Sequence, residues 1–175
     1  MIGYLDTSAL VKLLLRDEGD ADVVRTVFAA TDSTFTSRIA YPEGRAALAA
    51  ARRAGRLAAR DHATATRDFD RLIESLGIVE MHPALARGAG DVAERFALRA
   101  LDAVHLASAL ALGGSDTVVV TWGRTLASAA STAGLGVAPG RHGVSYQDLL
   151  GRLRQFGVEL VPPSDHRIAT SPGRA

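Results

Sequence analysis

The chain has 175 residues, of which 47% are apolar, and its formal net charge at neutral pH is +1. This length and apolar content predict one globular domain with a hydrophobic core. The near-zero charge gives no bulk argument for nucleic-acid binding, and the absence of cysteine excludes a disulfide framework and a thiolate metal site.

Neither a membrane anchor nor a targeting segment is expected. No apolar run approaches the ~18 residues that a membrane span requires. The first residues also lack a basic leader followed by a small-residue cleavage site. We therefore expect a cytoplasmic protein that does not bind a membrane.

The first half of the chain alternates short apolar runs with segments of helical periodicity. Residues 2–5 are apolar and end at a turn-prone Asp-Thr-Ser group, which predicts a buried strand followed by a capped helix. A long helix rich in alanine and arginine is expected to end at Gly55, with Pro42 tolerated near its first turn. The other elements predicted here are helices over 8–15, 20–30 and 57–76 and strands over 33–36 and 78–81.

The second half continues the alternation as far as residue 138. Pro83 is expected to stop the third strand, Asp102 to open a helix, and Gly113 to end that helix. Residues 117–121 are β-branched throughout, which predicts the strongest strand of the chain. The other elements predicted here are helices over 91–98, 102–112 and 124–133 and a brief strand over 137–138.

Strands that alternate with helices are typical of an α/β fold whose parallel sheet is covered on both faces. We expect a mostly parallel central sheet of four to five strands within a domain over residues 1–140. A C-terminal extension over 141–161 contains a helical pattern at 146–156. Residues 162–175 are rich in Pro, Ser and Gly, which predicts a flexible tail.

Three acidic residues stand in apolar surroundings and form the main functional signal of the chain. They are Asp6, Glu43 and Asp102. An unpaired charge at the edge of a core is costly, and a divalent cation would remove that cost. Oxygen ligands favour Mg²⁺ or Mn²⁺, and such an ion can assist the hydrolysis of a phosphodiester.

The predicted topology brings these carboxylates toward one edge of the sheet. Ligands of open parallel sheets bind beyond the carboxyl ends of the strands. Asp6 follows the first strand and Glu43 lies in the first turns after the second, while topology alone places Asp102 less firmly. Gly123 also falls at this edge, after the fourth strand, whereas Asp116 precedes that strand and belongs at the opposite edge.

Taken singly, each acid has a plainer interpretation. Asp6 and Asp102 each have the position of a helix N-cap, and Glu43 that of a solvated first-turn acid. His105, one turn after Asp102, is expected to be packed, and Trp122 to be a surface or interface aromatic.

Two hydroxyl residues also lie near the predicted edge. Ser8 and Thr121 are expected to be caps or strand-end residues, and the alternative is that they orient a metal-bound water.

Four segments resemble the PIN-domain family, and the closest resemblance is to its VapC toxin branch. They follow the family's order and spacing across roughly residues 1–140, and the first and third are specific in combination. The segments are 4–12 (YLDTSALVK), 36–43 (TSRIAYPE), 101–109 (LDAVHLASA) and 120–126 (VTWGRTL).

The resemblance implies a three-layer α/β/α nuclease that depends on Mg²⁺ or Mn²⁺ and cuts RNA. It further implies a homodimer that a cognate VapB-like antitoxin neutralises. Carried over by position, Asp6, Glu43 and Asp102 match the family's metal-binding acids.

One position departs from the family pattern. The family's next acid follows the fourth strand in a Thr-x-Asp pattern, and Gly123 occupies that place here. The missing carboxylate leaves an alternative open, in which a catalytically weakened PIN fold binds RNA or the antitoxin without cutting. Activity could equally persist on three acids plus water, or Thr121 could assist.

The sequence also offers two further hypotheses. Arg38 and Arg45 near the edge are candidates for contact with RNA phosphates. A phosphatase of the haloacid dehalogenase type also begins with a strand ending in Asp, but it requires a second acid where this chain has Ser8.

Overall fold

The computed structural model describes residues 1–15, 20–113 and 116–139. The extension predicted over 141–161 and the tail predicted over 162–175 lie outside these ranges. Within them, no helix combines the length and apolar character needed to cross a membrane.

The described strands form one five-stranded sheet in the order β3-β2-β1-β4-β5. All four neighbouring pairs are parallel, and the register places Ile2 of β1 beside Ser33 of β2 and Thr117 of β4. The predicted parallel sheet of four to five strands is therefore confirmed. The strands are β1 (Ile2–Leu5), β2 (Ser33–Ser37), β3 (Gly77–Val79), β4 (Thr117–Val120) and β5 (Gly136–Ala138).

Helices connect these strands and cover both faces of the sheet. In the described part of the chain the helices are α1 (Thr7–Leu14), α2 (Ala21–Ala30), α3 (Ala40–Arg53), α4 (Ala59–Glu74), α5 (Pro83–Phe96), α6 (Ala100–Ala111) and α7 (Arg124–Thr132).

The two-residue period of the central strands divides the core into two halves. Leu5 and Val120 pack into a cluster with the helices α1 to α4, whereas Tyr4 and Val119 pack into a cluster with α6 and α7. Successive strand side chains point to opposite faces, so a strand buried on both sides must be continuously apolar. This requirement explains the uninterrupted apolar character of residues 2–5.

The helices α5 and α6 begin two or more residues earlier than predicted. The α5 helix starts at Pro83, not at residue 91, because proline suits the first turn of a helix and the His82 side chain accepts a hydrogen bond from the Leu85 N–H at 3.3 Å. The α6 helix starts at Ala100 with Arg99 as its N-cap. Asp102 therefore lies inside the first turn, and its interpretation as an N-cap is wrong.

The contact between α3 and α4 depends on a glycine. Gly44 is buried in α3, and a Cβ atom there would fall inside the van der Waals surface of the Phe69 ring. Phe69 is fully buried in α4 and stacks on Tyr41 with 5.9 Å between the ring centroids. Little space remains for the ring to move.

We expect Gly44→Ala to destabilise the protein by about 1–3 kcal/mol, because overpacking at Phe69 outweighs the higher helix propensity of alanine. Gly90→Ala in α5 is the matched control, since nothing lies within 4 Å of a Cβ there. That control should stabilise the protein by roughly 0.5–1 kcal/mol. Urea unfolding of both variants measures the difference, and equal stability would contradict the packing argument.

Candidate active site

The candidate site lies where the chain switches direction across the sheet. The chain leaves β1 toward β2 on one side and later returns as β4 on the other side of β1. Parallel α/β sheets bind their ligands at such a switch point, beyond the carboxyl ends of the strands. Asp6 directly follows β1, and its N–H donates to the Val120 carbonyl oxygen of β4 at 3.1 Å.

Hydrogen bonds hold the Asp6 carboxylate on both of its oxygens. Oδ1 accepts from the Ala9 N–H at 2.9 Å and from the Ser8 hydroxyl at 2.7 Å, while Oδ2 accepts from the Thr121 hydroxyl at 2.6 Å. The side chain caps α1, as its plainer interpretation predicts, and is only 6% exposed. Ser8 and Thr121, the two predicted supporting hydroxyls, thus both contact Asp6.

Glu43 lies in the first turn of α3 and contacts both α1 and α6. Its Oε2 accepts a hydrogen bond from the Thr7 hydroxyl at 2.6 Å and lies 2.8 Å from His105 Nε2. Burial acts to raise the pKa of Glu43, but the hydrogen bonds from His105 and Thr7 outweigh it and lower the pKa. At 23% side-chain exposure, Glu43 is not the freely solvated acid of its plainer interpretation.

Asp102 differs from the other two acids because no residue in the described part of the chain donates a hydrogen bond to it. Partial burial raises its pKa, and the negative charges of Asp6 and Glu43 add to that effect. His105 and Arg99 oppose this rise in pKa without cancelling it. The charge of Asp102 is therefore poorly compensated.

The three carboxylates fit a hard divalent cation by their chemistry. All three offer oxygen ligands, Asp6 and Glu43 act on Asp102 electrostatically, and no described residue occupies the acceptor oxygens of Asp102. Within residues 1–15, 20–113 and 116–139, however, no three His, Asp or Glu side chains are already gathered as a set of metal ligands.

Sequence reasoning missed the polar groups that connect these acids. It expected His105 to be packed, and the residue is indeed only 3% exposed, yet its ring also contacts Glu43, Thr7 and Tyr4. A signal was available, because Asp102 and His105 are three residues apart and share a face of α6. The contacts of Thr7 and Tyr4 had no comparable local signal.

Arg38 and Arg45, the predicted phosphate contacts, already have partners on the surface. The Arg38 guanidinium pairs with Glu80. The Arg45 guanidinium donates to the Tyr41 hydroxyl at 2.7 Å and lies 3.6 Å from Asp70. RNA phosphates would compete with these contacts, and a role in substrate binding stays a prediction.

Trp122 and Gly123 follow β4 at the same edge. The Trp122 N–H donates to the Ser8 hydroxyl oxygen at 2.9 Å, and its indole N–H donates to Asp20 at 3.1 Å. Gly123 is the N-cap of α7 with a φ of −71°, a conformation open to any residue. Its glycine identity is therefore not required by the backbone.

The sequence matches the PIN domain family model over residues 3–130. The chain is also similar to ribonuclease VapC45 of Mycobacterium tuberculosis, with 43% identity over 136 residues. That alignment covers 78% of this chain and 94% of the relative.

Solved structures share the fold. PAE2754 from Pyrobaculum aerophilum superposes with a TM-score of 0.61 and 25% identity, covering 89% of this chain and 99% of that one. VapC20 from Mycobacterium tuberculosis, a toxin that cleaves the sarcin-ricin loop, superposes with a TM-score of 0.55 and 20% identity, covering 75% and 95%. The resemblance found in the four sequence segments is confirmed, and the chain belongs to the PIN-domain family, in its VapC branch.

Proposed function

We propose that this protein is an endoribonuclease toxin that hydrolyses RNA phosphodiester bonds with a bound Mg²⁺ or Mn²⁺. The observation that carries the proposal is the poorly compensated charge of Asp102 beside Asp6 and Glu43. These acids lie at the carboxyl edge of the sheet, meaning the edge where the carboxyl ends of the strands lie. The 43% identity to a relative named as a ribonuclease supports the same reaction. Divalent metal ions are in general use among the ribonucleases of this family.

Asp6, Glu43 and Asp102 are the residues that would hold the cation. When bound, a divalent cation lowers the pKa of a coordinated water and neutralises charge on a phosphate. Donors from Ser8, Thr121 and the Ala9 N–H fix Asp6 in one orientation. Such fixed carboxylates reduce the reorganisation that the reaction would otherwise require.

The partly buried position of the site favours the same chemistry. Asp6 is nearly inaccessible and Glu43 is mostly covered, so charges there are screened less than on the open surface. A phosphodiester that approaches without a cation would meet the poorly compensated carboxylate of Asp102 and be repelled. A bound cation would offset that repulsion.

Gly123 favours a second candidate function. It replaces the acid that the family pattern places after the fourth strand, close to Thr121, which itself donates to Asp6. A site with one carboxylate fewer can retain the fold and bind RNA or an antitoxin while cutting weakly. We rank this below the nuclease because the other three acids of the pattern are present.

The partners follow from the same family assignment. We propose that a VapB-like antitoxin binds this protein. We also propose that the toxin assembles as a homodimer.

We expect purified wild-type protein to cleave RNA in the presence of Mn²⁺, and Asp6→Asn to lower the rate by about 10²-fold or more, because it removes one cation ligand. Asp116→Asn is the matched control, since the backbone of Asp116 pairs with Ile2 at the opposite edge of the sheet. Gel-based cleavage of a labelled RNA measures all three proteins. Equal cleavage by Asp6→Asn would indicate a contaminating nuclease.

We expect Asp102→Asn to raise the melting temperature of the metal-free protein at neutral pH. The pKa of Asp102 is raised in the folded state, so its charged form opposes folding once the pH exceeds the unfolded value. The stabilisation should disappear as the pH falls through that unfolded value, where both states are protonated. Thermal unfolding in EDTA across acid and neutral pH measures the effect.

Addition of Mn²⁺ should reverse the order of these melting temperatures. The cation stabilises only the wild-type protein strongly, because Asp102→Asn lacks one of its ligands. If Mn²⁺ stabilises both proteins equally, Asp102 does not bind the ion.

We expect Gly123→Asp to fold normally and to raise the rate of RNA cleavage. Aspartate is a favoured N-cap for α7, and its Cβ would lie 3.2 Å from the Thr121 hydroxyl oxygen, which has to shift by only a few tenths of an ångström. Cleavage kinetics with Mn²⁺ test the substitution. An inert wild type beside an active Gly123→Asp would instead establish the weakened, binding-only protein.

A further inference from the structure

The buried ring of His105 lies between the central strand and one of the carboxylates. Nε2 lies 2.8 Å from Glu43 Oε2 and 3.3 Å from the Thr7 hydroxyl oxygen. Nδ1 lies 2.7 Å from the Tyr4 hydroxyl oxygen. Both ring nitrogens therefore have polar partners although the residue is only 3% exposed.

These contacts define where the imidazole proton resides. An ionised carboxylate only accepts hydrogen bonds, so the short contact with Glu43 requires a proton on Nε2. In the neutral ring Nδ1 is then an acceptor, which the Tyr4 hydroxyl satisfies. Burial raises the pKa of Tyr4 far above its usual value, so the hydroxyl keeps the proton that it donates.

Tyr4 is itself held rigidly by the fold. It belongs to β1, is 0% exposed, and its ring meets the His105 ring edge-on with 5.9 Å between centroids. The chain of contacts thus runs from the centre of the sheet through the imidazole to Glu43 on α3. Asp102 is on the same helix as His105, so this series of contacts also links the position of Asp102 to that of Glu43.

The contacts leave one oxygen of Glu43 for another ligand. Thr7 and His105 both engage Oε2, from two different helices. We propose that His105 is a positioning residue that holds Glu43 so that Oε1 is presented to the cation. The presentation of Oε1 to a cation rests on the proposed function, whereas the hydrogen bonds of His105 with Glu43 and Tyr4 do not.

A purely structural role would not require this ring. An apolar side chain of similar volume would fill the same space without the cost of burying two polar nitrogens. Groups that orient a metal ligand from outside the coordination sphere alter metal affinity by about 10- to 100-fold when they are removed. A loss of that size, without a loss of RNA affinity, separates positioning from packing.

The first test needs no metal. We expect ¹⁵N NMR of the imidazole nitrogens in metal-free protein to show a proton on His105 Nε2. Tyr4→Phe, which removes only the hydroxyl, should shift the Nδ1 resonance while the Nε2 proton remains. A wild-type His105 ring without a proton on Nε2 would overturn the proposal.

The second test compares His105→Leu with His105→Gln, whose amide N–H can still donate toward Glu43. We expect His105→Leu to weaken Mn²⁺ binding by about 10- to 100-fold in calorimetry and to lower kcat with KM for RNA unchanged. His105→Gln should recover part of both losses. Wild-type Mn²⁺ affinity in a folded His105→Leu variant would overturn the proposal.

The two tests distinguish this proposal from the proposed function. If the wild type neither binds Mn²⁺ nor cleaves RNA, the proposed nuclease function fails. The NMR experiment would still test whether His105 donates a hydrogen bond to Glu43. If His105→Leu does not fold, Tyr4→Phe replaces it in calorimetry, with a smaller expected loss of Mn²⁺ affinity. Unchanged affinity and an unchanged Nδ1 resonance in Tyr4→Phe would then overturn the proposal.

Discussion

The carboxyl edge of this protein is organised around the repulsion between acidic side chains that the fold partly removes from water. Asp6 and Glu43 each raise the cost of ionising Asp102. Two of the three acids are compensated by donors from the chain itself, whereas Asp102 has none among the described residues. This unequal compensation leaves a residual negative charge at one place, which is the electrostatic condition for binding a cation there.

The donors that compensate the acids also determine the local backbone. Asp6 accepts from Ala9 and thereby starts α1, so one side chain serves as a helix cap and as a member of the acidic group. Thr121 donates to Asp6 and accepts from the Gly123 N–H, which joins the end of β4 to the start of α7. At Asp6, helix capping and charge placement therefore depend on the same contacts, so a substitution of Asp6 should affect the start of α1 as well as the candidate site.

The central strand of the sheet anchors residues of the candidate site. β1 is the central strand, and residues on its two faces belong to different halves of the core. Asp6 follows this strand directly, and His105 is anchored on Tyr4 of the same strand. The candidate site is thus anchored on the central strand of the sheet, with polar contacts reaching outward to α1, α3 and α6.

The sequence alone determined the class of fold, the strand that begins the chain and the acids worth considering. Apolar runs of four or five residues and helical periodicity are local properties, so they predicted β1 and β4 within a residue. Local signals were weaker around Gly88 and Gly90, where glycines concealed the first turns of α5.

Only the tertiary structure decided which donor meets which carboxylate. The Tyr4–His105 and Thr121–Asp6 hydrogen bonds join residues 101 and 115 positions apart. Such pairings depend on how strands and helices pack against one another. The packing sets the distance between side chains that are remote in sequence, and no local sequence pattern encodes that distance. Residue types could nominate the acids of this site, but only packing could determine how their charges are compensated.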